Sequence, residues 1–112
     1  MSLLWIGVMK DPIHGHTLTF SFDDGPMAGK SFDHTFSSDN KVTFGMPGGK
    51  GTTIDGYEVA KIRDDIWVVS YQAQATLTTI LDFKAGTLTA IATSDKGPIV
   101  QHGRIETRKR AA

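Results

Sequence analysis

Between Ile62 and Ser94 the sequence holds three consecutive runs of β-branched and aromatic residues joined by two short turns, and this meander constrains what the rest of the chain can do. Ile66 to Gln72 (IWVVSYQ), Ala75 to Phe83 (ATLTTILDF) and Thr87 to Thr93 (TLTAIAT) suit a pleated surface, with Gly86 in the second turn. Side chains alternate at period two along a strand. Trp67, Val69 and Tyr71 therefore share one face of the first run, and Ile66, Val68 and Ser70 share the other. Neither face is strongly polar. A sheet that is apolar or threonine-covered on both sides curls or is covered, so the remaining chain has to supply strands that pair with this one.

The flanking sequence supplies them. His16 to Phe22 (HTLTFSF) alternates cleanly, with Leu18, Phe20 and Phe22 opposite Thr17, Thr19 and Ser21. Asp23 to Pro26 makes a turn, after which Lys30 to Ser37 places Phe32, His34 and Phe36 on one side. Ser38 to Asn40 turns the chain again, and Lys41 to Met46 groups Val42, Phe44 and Met46. Pro47 to Gly56 reads as irregular because its glycines and proline hold a ladder poorly. Tyr57 to Arg63 resumes the sheet, and a last strand runs from about Ile99 to Glu106. The apolar MSLLWIGVM at the start reads as a further strand, ended by the Lys10 to Gly15 segment with its Pro12.

No window has helical periodicity, and the thirteen threonines favour strands. The expected fold is all-β: a small antiparallel up-and-down β-barrel of about eight or nine strands, preferred over a sandwich because closure removes both sheet edges. Residues 1–112 are expected to form one such domain.

Composition narrows the chemistry. With no cysteine, a thiol nucleophile, a thiolate zinc site and a disulfide framework are all excluded. Twelve basic and twelve acidic side chains cancel, so neither nucleic acid nor an anionic membrane is an expected partner. The N-terminal apolar run lacks a basic flank and is too short for an export signal, and a cytoplasmic location is the default expectation. Arg104 with Arg108, Lys109 and Arg110 reads as a solvated basic end.

Gly15 to Gly25 (GHTLTFSFDDG), an aromatic strand, a glycine-rich connection and then IWVVSYQ followed by LDFKAGTLTAI occur in an order that resembles the calycin-type (lipocalin-like) barrels of the MoaF-like and phenolic acid decarboxylase-like group. The resemblance spans most of the chain. It implies a barrel whose open end admits a small hydrophobic or aromatic ligand, and it implies a homodimer, since members of that group are often dimeric. The decarboxylase chemistry does not carry over. Where those enzymes present two inward tyrosines, this sequence has Phe20 and Phe22, and where they place a glutamate after the residue matching Tyr71, it has Ala73. Their arginine has no match between Lys50 and Gly56. Orienting a carboxylate and moving its proton needs such groups, so a related barrel that binds without decarboxylating is expected.

The aromatic residues are the most informative set. Phe20, Phe22, Phe32, Phe44, Trp67 and Tyr71 fall on predicted inward faces, Tyr57 begins a strand near a possible mouth, and His34 and the Tyr71 hydroxyl supply polar groups. These eight residues are the expected ligand-binding set. The same aromatics can instead plug the interior and leave a module that acts through its surface. A third reading makes His34 and Tyr71 the acid and base of a lyase or isomerase. His14 and His16 project to one side of an extended chain, but no carboxylate cluster or cysteine completes a metal shell, so no metal, cofactor or catalytic residue is assigned. The Gly48 to Gly51 run (GGKG) lacks the Lys-Ser/Thr ending and following helix of a phosphate loop.

Overall fold

Each run of period-two alternation becomes a strand in the computed structural model, which describes residues 11–107. In chain order these are β1 (His16–Phe22), β2 (Ser31–Phe36), β3 (Lys41–Gly45), β4 (Thr52–Asp55), β5 (Glu58–Arg63), β6 (Ile66–Gln72), β7 (Thr76–Asp82), β8 (Thr87–Ser94) and β9 (Gly97–Thr107). The strand expected in MSLLWIGVM and the basic residues Arg108 to Arg110 lie outside the described residues. No helix among the described residues is long and apolar enough to cross a membrane.

All nine strands form one sheet in the order β4-β3-β2-β1-β9-β8-β7-β6-β5. Two meanders, β1 to β4 and β5 to β9, are joined where β1 pairs with β9, from Leu18 opposite Thr107 to Phe22 opposite Gly103. Eight antiparallel steps separate β4 from β5 round the sheet, so these two edge strands run in the same direction. Only Gly56 and Tyr57 separate them in sequence. They act as one interrupted strand whose first segment pairs with β3 and whose second pairs with β6. The sheet therefore curls into a half-barrel, because its two edges are tied together by the chain itself.

The registers place the β2–β3, β5–β6 and β7–β8 turns at one end and the β1–β2, β3–β4, β6–β7 and β8–β9 connections at the other. The first end is filled. Leu18, Phe36, Val42, Leu81 and Val69 are almost fully buried there, and Ile13 plugs it from the turn before β1. Each such side chain contributes roughly 1.5–3 kcal/mol of burial.

Two boundaries differ from expectation. Part of Pro47 to Gly56 forms β4, because Thr52, Thr53 and Ile54 are strand-forming residues that pair with β3 across the glycine-rich loop. The last strand begins at Gly97 and runs through Pro98, which is tolerated because β9 at that point has β8 on one side and no β1 partner.

Gly103 sits at the join, opposite Phe22 on β1 and Leu88 on β8. A Cβ built there would lie 2.1 Å from the Ser21 carbonyl oxygen and 3.0 Å from the Phe22 Cα. Gly103→Ala is expected to lower stability by about 3 kcal/mol, since the β1 backbone at Ser21 and Phe22 must shift. Urea unfolding measures this, and a loss below about 0.5 kcal/mol would show that β1 and β9 do not depend on this close approach.

Candidate functional site

The half of the interior away from the plugged end is hollow, and side-chain size explains why. The first meander turns Phe20, Phe22, Phe32, His34 and Phe44 inward, while β8 faces them with Ala90 and Ala92. Large rings on one wall and methyl groups on the other leave a cavity of about 210 Å³, completed by Tyr71, Leu77, Thr79 and Gln101, with Met27 at its edge. Phe44 and Tyr71, from the two arms of the curled sheet, bring their ring centroids to 5.5 Å. None of the lining residues is charged.

His34 is the polar centre of this wall. It is 6% exposed, and its imidazole stacks on Phe20 at a centroid distance of 4.1 Å, with Phe36 and Phe44 each at 5.9 Å. Its Nδ1 lies 3.4 Å from the Phe32 carbonyl oxygen, which can only accept, so this nitrogen carries the proton in the neutral ring. Burial among aromatic rings pushes the imidazole down to about 4, outweighing the opposing effects of the Phe32 carbonyl and the Asp33 carboxylate. Burial likewise pushes the Tyr71 phenol well above its usual range. The two rings lie 6.3 Å apart.

Gln101 shapes the open end. Its Oε1 accepts the Met27 N–H at 2.9 Å and so holds the β1–β2 loop against β9. That loop passes so close that a Cβ on Gly25 would meet Gln101 Cγ at 2.5 Å, and Gly25 also has φ +76°. Outside, Asp24 accepts the His102 N–H at 2.6 Å and pairs with its ring, while Asp23 takes Arg104 at 3.0 Å. The Asp23–Asp24 turn is thus a clamp onto β9 as well as a change of direction.

Six of the eight expected ligand residues line the cavity: Phe20, Phe22, Phe32, His34, Phe44 and Tyr71. Tyr57 and Trp67 do not. Tyr57 lies in the β4–β5 link at the filled end, where its hydroxyl donates to the Ser37 carbonyl at 2.8 Å and its ring meets Phe36 edge-on. The strand that Tyr57 introduces thus starts at the filled end, away from this cavity. Trp67 faces inward but sits near the start of β6, below the hollow, and its Nε1 is the one buried side-chain nitrogen or oxygen without a partner among the described residues. Sequence reasoning missed Thr79, Gln101 and the two alanines. Period two already put Thr79 on the Leu81 face, but the value of Ala90 and Ala92 lies in what they fail to fill. His14 pairs with Asp11 and meets the Tyr57 ring at a tilt, and no group of three or more possible metal ligands occurs among the described residues.

A family model described as MoaF N-terminal domain matches residues 8–95. No curated protein matches the sequence. Among solved structures, a protein from Burkholderia vietnamiensis provisionally described as a beta-lactamase is similar in fold, with a TM-score of 0.70 at 19% identity over 90% of this chain and 100% of that one.

The His34 environment makes stability depend on pH. In the unfolded chain the imidazole titrates near 6.5, and in the folded protein burial holds it near 4. Between those values the unfolded state binds the extra proton, so His34 costs nothing above pH 6.5 and destabilises progressively as pH falls toward 4, by roughly 3 kcal/mol in total. Urea unfolding at pH 7 and pH 4.5 should show a steeper acid loss in the wild type than in His34→Phe. Parallel slopes would mean that the folded protein protonates this ring freely.

Proposed function

The chain belongs to the MoaF N-terminal domain family, and from that premise we propose that its lumen is a calycin-like binding site for one small hydrophobic or aromatic molecule, with no catalysis of its own. The observation that carries this is the cavity of about 210 Å³, walled by aromatic rings and furnished with a few uncharged polar groups. Ligand sites have this mixture of apolar lining and sparse, placed polarity. A dry cavity of about 150 Å³ accommodates benzene, so this lumen suits one ring with a short substituent, on the order of ten non-hydrogen atoms.

Acid–base chemistry in the same lumen is the weaker reading. A proton-transfer pair works best with its groups poised near the operating pH. Here burial moves the two candidates the wrong way, leaving the imidazole near 4 a poor base and the Tyr71 phenol a poor acid at neutral pH. The beta-lactamase description of the structural neighbour does not transfer either. Ser70 faces away from the lumen and shares a hydrogen bond of 2.9 Å with Thr78, with no base beside it. A fully plugged barrel is disfavoured because β8 offers alanines where a plug needs bulk. We assign the homodimer contact to β5, an edge strand with no outer partner among the described residues and an exposed Ile62.

Native mass spectrometry of freshly purified protein, followed by a denatured run, should release one small molecule per chain and reports the oligomer in the same spectrum. A thermal-shift panel of single-ring aromatic compounds should raise the melting temperature. Ala90→Phe is expected to keep the fold and abolish those shifts by filling the lumen from the β8 wall. A panel without any shift in the wild type, together with a ligand-free native spectrum, would overturn the binding reading.

A further inference from the structure

We infer that the lumen selects an uncharged ring compound carrying one hydrogen-bond donor, a phenol or an indole-type N–H, and rejects the carboxylates of otherwise identical shape. This deepens the binding reading above and rests on it.

The polar inventory of the cavity is specific. His34 donates from Nδ1 toward Phe32, which leaves its other ring nitrogen, Nε2, as an acceptor. Nε2 has no hydrogen-bond partner among the described residues, and neither do the Tyr71 and Thr79 hydroxyls or the Gln101 side-chain N–H groups. Yet the buried and unpartnered side-chain atoms comprise Trp67 Nε1 alone among those residues. These four groups are therefore unpaired but open to the hollow that their residues line. Buried polar groups of this kind are costly unless something completes them.

What completes them has a definite polarity. Hydroxyls adapt to donors or acceptors, and an amide N–H finds water at the mouth, but neutral Nε2 can only accept. Tyr71 lies across from it with ring centroids 6.3 Å apart, so the hollow offers an acceptor in His34 and an adaptable hydroxyl in Tyr71 to the polar group of a ligand ring. Phe20 and Phe44, stacked on either side of the imidazole, add apolar ring surface to the hollow beside it.

Charge is excluded by the same wall. No arginine or lysine lines the cavity, so a carboxylate would lose its hydration and meet only an acceptor nitrogen and aromatic faces. Protonating His34 to receive it would work against the burial that keeps the ring neutral. An ammonium group fares no better without a carboxylate to pair with. The nearest acidic side chains, Asp33 on β2 and Asp23 and Asp24 on the β1–β2 loop, do not line the hollow.

Isothermal titration of the full chain at pH 7.5 tests this with p-cresol, p-methylanisole, 4-hydroxybenzoate and methyl 4-hydroxybenzoate. The ester is expected to bind at least about a hundredfold tighter than the acid, and p-cresol about tenfold tighter than p-methylanisole, whose ether has no proton to give. In His34→Phe the preference for p-cresol should shrink to within about twofold while p-methylanisole still binds. Should that variant fail to fold, ¹⁵N-histidine spectra of the wild type give the same readout, because p-cresol must shift Nε2 and p-methylanisole must not. Equal binding of acid and ester, or of cresol and anisole, overturns the inference while the lumen reading stands. Silence from all four compounds overturns both.

Discussion

The structure hangs on the pairing of β1 with β9. Every other pairing joins neighbours in sequence, which a meander makes at small cost in loop-closure entropy. Leu18 to Phe22 against Gly103 to Thr107 is the one long-range ladder among the described residues, and it joins two open meanders into the single sheet whose edges the β4–β5 link then draws together. Its close fit depends on the missing side chain at Gly103, and the β1–β2 loop reinforces it from outside through Asp23, Asp24 and Gln101. The Asp23 and Asp24 contacts are exposed and individually weak, whereas Gln101 is buried. Their value is that they hold the loop at the open end in one place.

A half-barrel of this size would ordinarily fill itself. At the end bearing Ile13 it does, since Leu18, Phe36, Val42, Leu81 and Leu88 converge there from both arms of the sheet. Toward the other end the two arms stop matching. The first meander continues with Phe20, Phe22, Phe32 and Phe44, but the opposing wall sets small residues, Thr79, Ala90 and Ala92, among Tyr71 and Leu77. Because interiors pack to near-crystalline density when the side chains allow it, a hollow lined this unevenly reflects a choice of small residues at defined positions. The same strands thus supply stability at one end and space at the other.

Much of this was legible in the residues. Period-two alternation located eight of the nine described strands and their inward faces, including six aromatic or imidazole groups of the cavity wall, because one buried face fixes register strongly. The β4 strand was obscured by the surrounding glycines, although Thr52 to Ile54 carried the signal. Asp82, a carboxylate at the end of a strand otherwise apolar and threonine-rich, accepts the Lys84 and Ala85 N–H groups and shapes the β7–β8 turn. What the sequence could not convey was vertical position. Tyr57 and Trp67 share the inward face with Tyr71, yet height along the barrel depends on the stagger between strands, which only long-range registers set. Parity was hidden for the same reason: β4 and β5 look like separate strands until the ring of antiparallel steps shows them to be one.

The apolar wall of the cavity and the character of His34 follow from one feature. In the decarboxylases that the sequence resembles, positions 20 and 22 carry hydroxyls, and here they carry phenyl rings. Phe20 does more than omit a hydroxyl, because its ring stacks directly on His34 and helps strip the imidazole of water. Without hydroxyls at these two positions the wall is less able to handle a carboxylate, and burial among the rings holds His34 neutral. A tyrosine at position 20 would add polarity beside that imidazole and ease the penalty on its charged form. The phenylalanines therefore set the character of the lumen as a whole, giving an apolar wall around a neutral imidazole.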